Sequence, residues 1–191
     1  MNAQLDSAIV RISKANGQVV GAGFLVSEKY LITCAHVVNA ALSQPLEATE
    51  QPTGEISLDF PLIQPPEKLK ARVIHWYPVK DSTSTSEISD IAVLELSTKP
   101  SVQAKKVRLV TADNLWGHPF QVFGFPVRRD AGVWTSGELR RPISGGRVQM
   151  QVVQQTAYRI ESGFSGSPVW DENLDGIVGM TVTAEKSRER L

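Results

Sequence analysis

Apolar and polar residues alternate in short runs along this chain, and glycine, proline or small polar residues close nearly every run. That is the period of half-buried β-strands. Ahead of residue 97 the pattern predicts strands over 8–13, 19–26, 30–33, 56–60, 71–76 and 91–96. Beyond it, strands are predicted over 121–125, 133–141, 148–154, 167–171 and 176–183. The turn Ser27-Glu28-Lys29 joins the second and third strands into a hairpin, and the proline-bearing stretch 44–54 and the pair Pro65-Pro66 read as loops. The interval 97–106 reads as a crossover, dividing an all-β chain into units 1–98 and 99–191.

Three segments carry chemistry: Thr33-Cys34-Ala35-His36, Asp90-Ile91-Ala92-Val93-Leu94 and Gly163-Phe164-Ser165-Gly166-Ser167-Pro168. A serine hydroxyl attacks a carbonyl only when a histidine takes its proton and a carboxylate fixes the histidine's tautomer. His36, Asp90 and Ser165 supply base, acid and nucleophile in that chain order, separated by 90 − 36 = 54 and 165 − 90 = 75 residues. Unrelated folds build the same triad in other orders, so the order itself is informative. The glycines beside Ser165 suit a turn that aims two backbone N–H groups, those of Gly163 and Ser165, at a developing oxyanion. The rival G-x-S-x-G elbow fails at Ser167, where its second glycine belongs.

Each residue also has a plainer reading. A lone histidine is more often structural than catalytic, and Asp90 would serve equally to cap the turn before its strand. Asp59, Asp81 and Asp113 compete for the role of the acid. His75 and His118 lack comparable surroundings and read as structural.

Together the three segments resemble the trypsin-like serine peptidases, and more closely the bacterial intracellular HtrA-like branch, over residues 8–183. The resemblance implies a chymotrypsin-like fold of two perpendicular six-stranded antiparallel β-barrels. Its cleft would take His36 and Asp90 from the first barrel and Ser165 from the second. It implies a serine endopeptidase acting on protein or peptide substrates through an acyl-enzyme, with no cofactor or metal. Arg159, Ile160 and Glu161 would line the primary specificity pocket. Ile160 would favour an apolar side chain and Arg159 an acidic one, while Glu161 leaves a basic one open. Thr181, Val182 and Thr183 would pair with the substrate main chain. In the secreted members an aspartate just before the nucleophile pairs with a freed N-terminus, but here that residue is Phe164. The turn is therefore expected to be held by packing or switched by a neighbouring domain.

Charge balances at 20 basic against 20 acidic residues, which leaves no electrostatic footprint for nucleic acid or an anionic membrane. The single cysteine, Cys34, excludes an intramolecular disulfide and fits a reducing, cytoplasmic setting. No apolar run reaches the ~18 residues of a membrane span. The five predicted strands of the second unit and the charged tail 184–191 suggest a fragment of a longer protein with regulatory domains. The competing reading is a catalytically silent barrel used as a protein-interaction module; a narrower one is esterase chemistry by the same triad.

Overall fold

A computed structural model describes residues 3–79, 89–143, 146–153 and 158–182. The alternation of the first half becomes six strands: β1 (Ile9–Ser13), β2 (Val19–Leu25), β3 (Tyr30–Thr33), β4 (Ile56–Asp59), β5 (Lys68–Tyr77) and β6 (Ile91–Leu96). They close a barrel in the order β1-β2-β3-β6-β5-β4, with β1 pairing back onto β4. In β6 every second residue is buried, so one face fills the barrel and the other meets solvent. Strand β5 starts three residues ahead of its predicted bound, because exposed Lys68 and Lys70 flank buried Leu69 and extend the same period.

The second half forms β7 (Pro119–Gly124), β8 (Val133–Ile143), β9 (Arg147–Val152), β10 (Pro168–Asp171) and β11 (Gly176–Met180). Among the described residues these make a five-stranded sheet in the order β11-β10-β7-β8-β9, a partial second barrel beside the closed first one. The expected all-β, chymotrypsin-like two-barrel architecture is thus present. Asp81, Gln154, Thr183 and the tail 184–191 lie outside the described residues.

Two short helices complete the elements, α1 (Ala3–Asp6) and α2 (Ala35–Ala41). The apolar stretch after β3 is thus helical, which the strand-dominated reading did not anticipate. The main core fills the first barrel with residues such as Ile9, Ile12, Leu31, Ile56 and Leu94, and reaches across to Phe123, Phe125, Trp170 and Ile177 of the second half. A smaller cluster of Phe120, Val122, Leu139, Phe164 and Val169 lies within the second sheet. One continuous core therefore fixes the relation between the halves.

Candidate active site

Strand β3 delivers the chain to α2, and His36 is the second residue of that helix. The residue at the N-cap, Cys34, makes no side-chain capping bond. The cap comes from elsewhere: Asp90 Oδ1 accepts the backbone N–H of His36 at 3.0 Å, while Asp90 Oδ2 lies 2.7 Å from the ring Nδ1. One carboxylate therefore satisfies an orphan N–H of the helix and fixes the imidazole above it. Asp90 is buried, sits at φ +58°, and donates its own N–H to the Pro78 carbonyl at 3.1 Å. That left-handed backbone, which aspartate tolerates better than most residues, turns the carboxylate back toward α2.

The turn carrying Ser165 is bound to the first barrel. Its carbonyl accepts the N–H of Ala22 on β2 at 2.9 Å, and the Ala22 carbonyl accepts the Thr33 hydroxyl at 2.6 Å. Gly166 donates to the Thr181 carbonyl at 2.8 Å, and the Cys34 thiol donates to that same oxygen at 3.4 Å. Gly21 is wedged between the Val37 side chain and the Ser165 carbonyl. The segments that carry His36 and Ser165 are therefore joined through Ala22 and Thr181, although the two residues come from different halves of the chain.

Two glycines make the turn possible. Gly163 has φ +104° and Gly166 φ +84°, and a Cβ at either would collide with backbone, at Phe125 and at Ala22 respectively. Among the described residues, the N–H groups of Phe164, Gly166 and Ser167 are bonded to carbonyls, whereas those of Gly163 and Ser165 carry no partner. An oxyanion site needs unpartnered backbone N–H groups of this kind. Ser167 is buried and donates its hydroxyl to the Phe123 carbonyl at 2.6 Å, which anchors the turn to β7.

Phe164 is fully buried in the second cluster, and its ring lies against the Cα of Gly124. Packing thus occupies the place where an ion pair would otherwise hold the turn. Phe164→Ala is expected to cost about 3–5 kcal/mol of stability through the cavity it leaves. The check is urea unfolding; a loss below about 1 kcal/mol would show that the ring does not hold the turn.

Asp59 is engaged by Arg11, with Nε–Oδ1 at 2.9 Å and Nη2–Oδ2 at 2.5 Å, so it is committed elsewhere. Arg159 and Glu161 are exposed, and Ile160 is half-buried against the second cluster. Thr181 is buried with its N–H donated to Ser167 at 2.9 Å, and Val182 is half-buried. His118, read as structural, is paired with an acid: its Nδ1 lies 2.8 Å from Asp171 Oδ2. Asp171 is fully buried and also accepts the N–H groups of Asn173 and Leu174, so this pair closes the turn between β10 and β11.

Cys34, His36 and Asp90 place three ligand-type atoms within 4.8 Å of one another. A cation there would have to displace the Asp90–imidazole bond and take the proton of a buried thiol. Burial pushes that thiol well above its ordinary range, and the charge of Asp90 adds to the effect. The same shift suppresses any nucleophilic role for Cys34. A depression of about 840 Å³ lined by Lys29, Tyr30, Arg72 and Glu95 lies on the first barrel and contains none of these groups. Its Lys29 and Arg72 are already paired with Glu95, at 2.6 and 2.9 Å.

Residues 21–180 match the family model of the trypsin-like peptidase domain. No curated protein sequence matches the chain significantly. Among solved structures it is similar to neuropsin, a serine protease expressed in the limbic system of mouse brain, with TM-score 0.65 and 14 % identity over 95 % of this chain and 82 % of that one. It is similar to the protease domain of MamO from Magnetospirillum magneticum, with TM-score 0.62 and 18 % identity over 98 % of this chain and 89 % of that one. It is also similar to the serine endoprotease of Yersinia pestis, with TM-score 0.65 and 17 % identity. There the alignment covers 96 % of this chain but 57 % of the other, so this chain spans little more than half the length of that relative.

Proposed function

Because the chain belongs to the trypsin-like peptidase family and is a serine endopeptidase, we propose that it cleaves peptide bonds with His36 as general base, Asp90 as the acid that orients it, and Ser165 as nucleophile. Asp90 accepts the Nδ1–H, which leaves Nε2 free to take the serine proton. Ser165 Oγ then adds to the scissile carbonyl, and the N–H groups of Gly163 and Ser165 receive the oxyanion. The protonated imidazole passes its proton to the leaving amine, and the resulting acyl-enzyme is hydrolysed by water through the same groups in reverse roles. The observation that supports this reading is the His36–Asp90 pair, 2.7 Å apart, docked through Ala22 and Thr181 onto the turn of Ser165.

In this reading residues 1–98 carry the base and acid, residues 99–191 carry the nucleophile, and substrates are proteins or peptides. An extended substrate lies beside Thr181 and Val182, with the N–H and carbonyl of Thr181 already bonded internally, and Thr183 is assigned to the same substrate-binding stretch. Arg159, Ile160 and Glu161 line the primary specificity pocket, Ile160 as its apolar wall. An unpaired, buried Cys34 supports a reducing compartment, with this domain as the protease module of a larger intracellular protein. Among the described residues no helix is long and apolar enough to cross a membrane.

Digestion of a peptide library, paired with pre-steady-state acylation by a nitrophenyl ester, tests the proposal. A stoichiometric burst of nitrophenol and cleavage after apolar residues are expected. Cleavage after acidic residues would instead assign the pocket to Arg159. No burst and no cleavage would favour the silent interaction module.

A further inference from the structure

Arg11 is a charged side chain that the chemistry above does not use, and it joins the two halves of the molecule. It lies on β1, opposite Asp59 of β4 on one side and Ala22 of β2 on the other, the residue whose N–H holds the Ser165 carbonyl. Its guanidinium forks onto Asp59, and the remaining nitrogen, Nη1, donates to the Asp130 carbonyl at 2.5 Å. Asp130 belongs to residues 125–132, the connection from β7 to β8 in the second half.

That connection begins on the oxyanion turn. Phe125 donates its N–H to the Gly163 carbonyl at 2.9 Å, and its own carbonyl lies against the Cα of Gly163. The segment is braced by Arg129 N–H to the Pro126 carbonyl at 2.9 Å and, across Asp130, by Gly132 N–H to the Arg129 carbonyl at 2.8 Å, with Arg128 at φ +66°. A short segment bonded to itself passes a displacement at its tip to its root. The fork onto Asp59, whose side chain is only 11 % exposed, sets the plane of the guanidinium and so the direction of Nη1.

Resting on the assignment of Gly163 and Ser165 to the oxyanion site, we propose that Arg11 is a positioning residue. Through Asp130 it holds segment 125–132, and through that segment the Gly163 turn, in the geometry that directs the oxyanion N–H groups. Lysine cannot replace it, because an ammonium lacks the fork that satisfies Asp59 and Asp130 at fixed angles.

The test compares wild type with Arg11→Ala and Arg11→Lys. The acylation rate constant is read from the ester burst per titrated site, and amide hydrogen exchange is followed at Arg129, Gly132 and Phe125. Both variants should acylate roughly tenfold to a hundredfold more slowly with KM changed less than about threefold, as expected for a misaimed oxyanion site. Exchange should quicken at those amides and not in β5 or β6, and added guanidinium ion should restore part of the rate to Arg11→Ala. Acylation within about twofold of wild type in a folded variant would overturn the proposal. If Arg11→Ala does not fold, Arg11→Lys decides by the same two readings. Should wild type give no burst, the catalytic assignment fails and this role for Arg11 fails with it; quickened exchange would then show a tether without a catalytic purpose.

Discussion

Ser165→Ala and His36→Ala should each lower peptide turnover by about 10⁴-fold or more while leaving the fold intact. The losses should not multiply. Removing the base from an enzyme already lacking its nucleophile costs little more, because the groups act as one unit. The structure shows no bonded partner for the Ser165 hydroxyl among the described residues, whereas the His36 ring is the side-chain partner of buried Asp90. His36 is partly exposed, and the contacts that seat Ser165 run through its backbone carbonyl to Ala22 and through the N–H of the next residue to Thr181. Circular dichroism of both variants should therefore match wild type, with the unfolding midpoint unchanged in Ser165→Ala and lowered in His36→Ala by the bond that Asp90 loses. A double variant much slower than either single one would mean that the two residues act independently.

Asp90→Asn should lower turnover by about 10⁴-fold for a different reason, the tautomer of the histidine. Asparagine accepts a left-handed backbone as aspartate does, so the φ of +58° is kept, and its amide oxygen still accepts the His36 N–H that caps α2. Its amide nitrogen, however, would now donate to Nδ1. The ring proton must then move to Nε2, the nitrogen that has to accept the serine proton. The fold is retained and the base is lost. Steady-state kinetics beside a thermal melt separates the two: a variant with turnover within tenfold of wild type would remove Asp90 from the mechanism.

The strands were legible because their information is local. In β6 and in the first six residues of β5 every second side chain faces the barrel interior, and a period of two survives in the sequence whatever the strands pair with. The Ser165 turn was legible for a related reason, since Gly163 and Gly166 hold backbone angles that other residues avoid. Helix α2 was not legible. Its first residue follows a cysteine with no capping bond, and the cap arrives at His36 from Asp90, 54 residues beyond it. The partnership of His118 with Asp171 was hidden likewise by a separation of 53 residues, with no motif at either end. Arg11 stands on β1 among residues that signal only a strand, and its bond to Asp130 spans 119 positions. What the sequence conceals here are pairings between side chains brought together by barrel closure and by the meeting of two halves.

The most direct measurement is labelling with a fluorophosphonate followed by mass mapping of the modified peptide. One adduct per chain on Ser165 is expected, abolished by Ser165→Ala, by His36→Ala and by prior denaturation. An adduct on another residue, or a folded wild-type protein that takes up no probe, would contradict the assignment of this serine as the nucleophile.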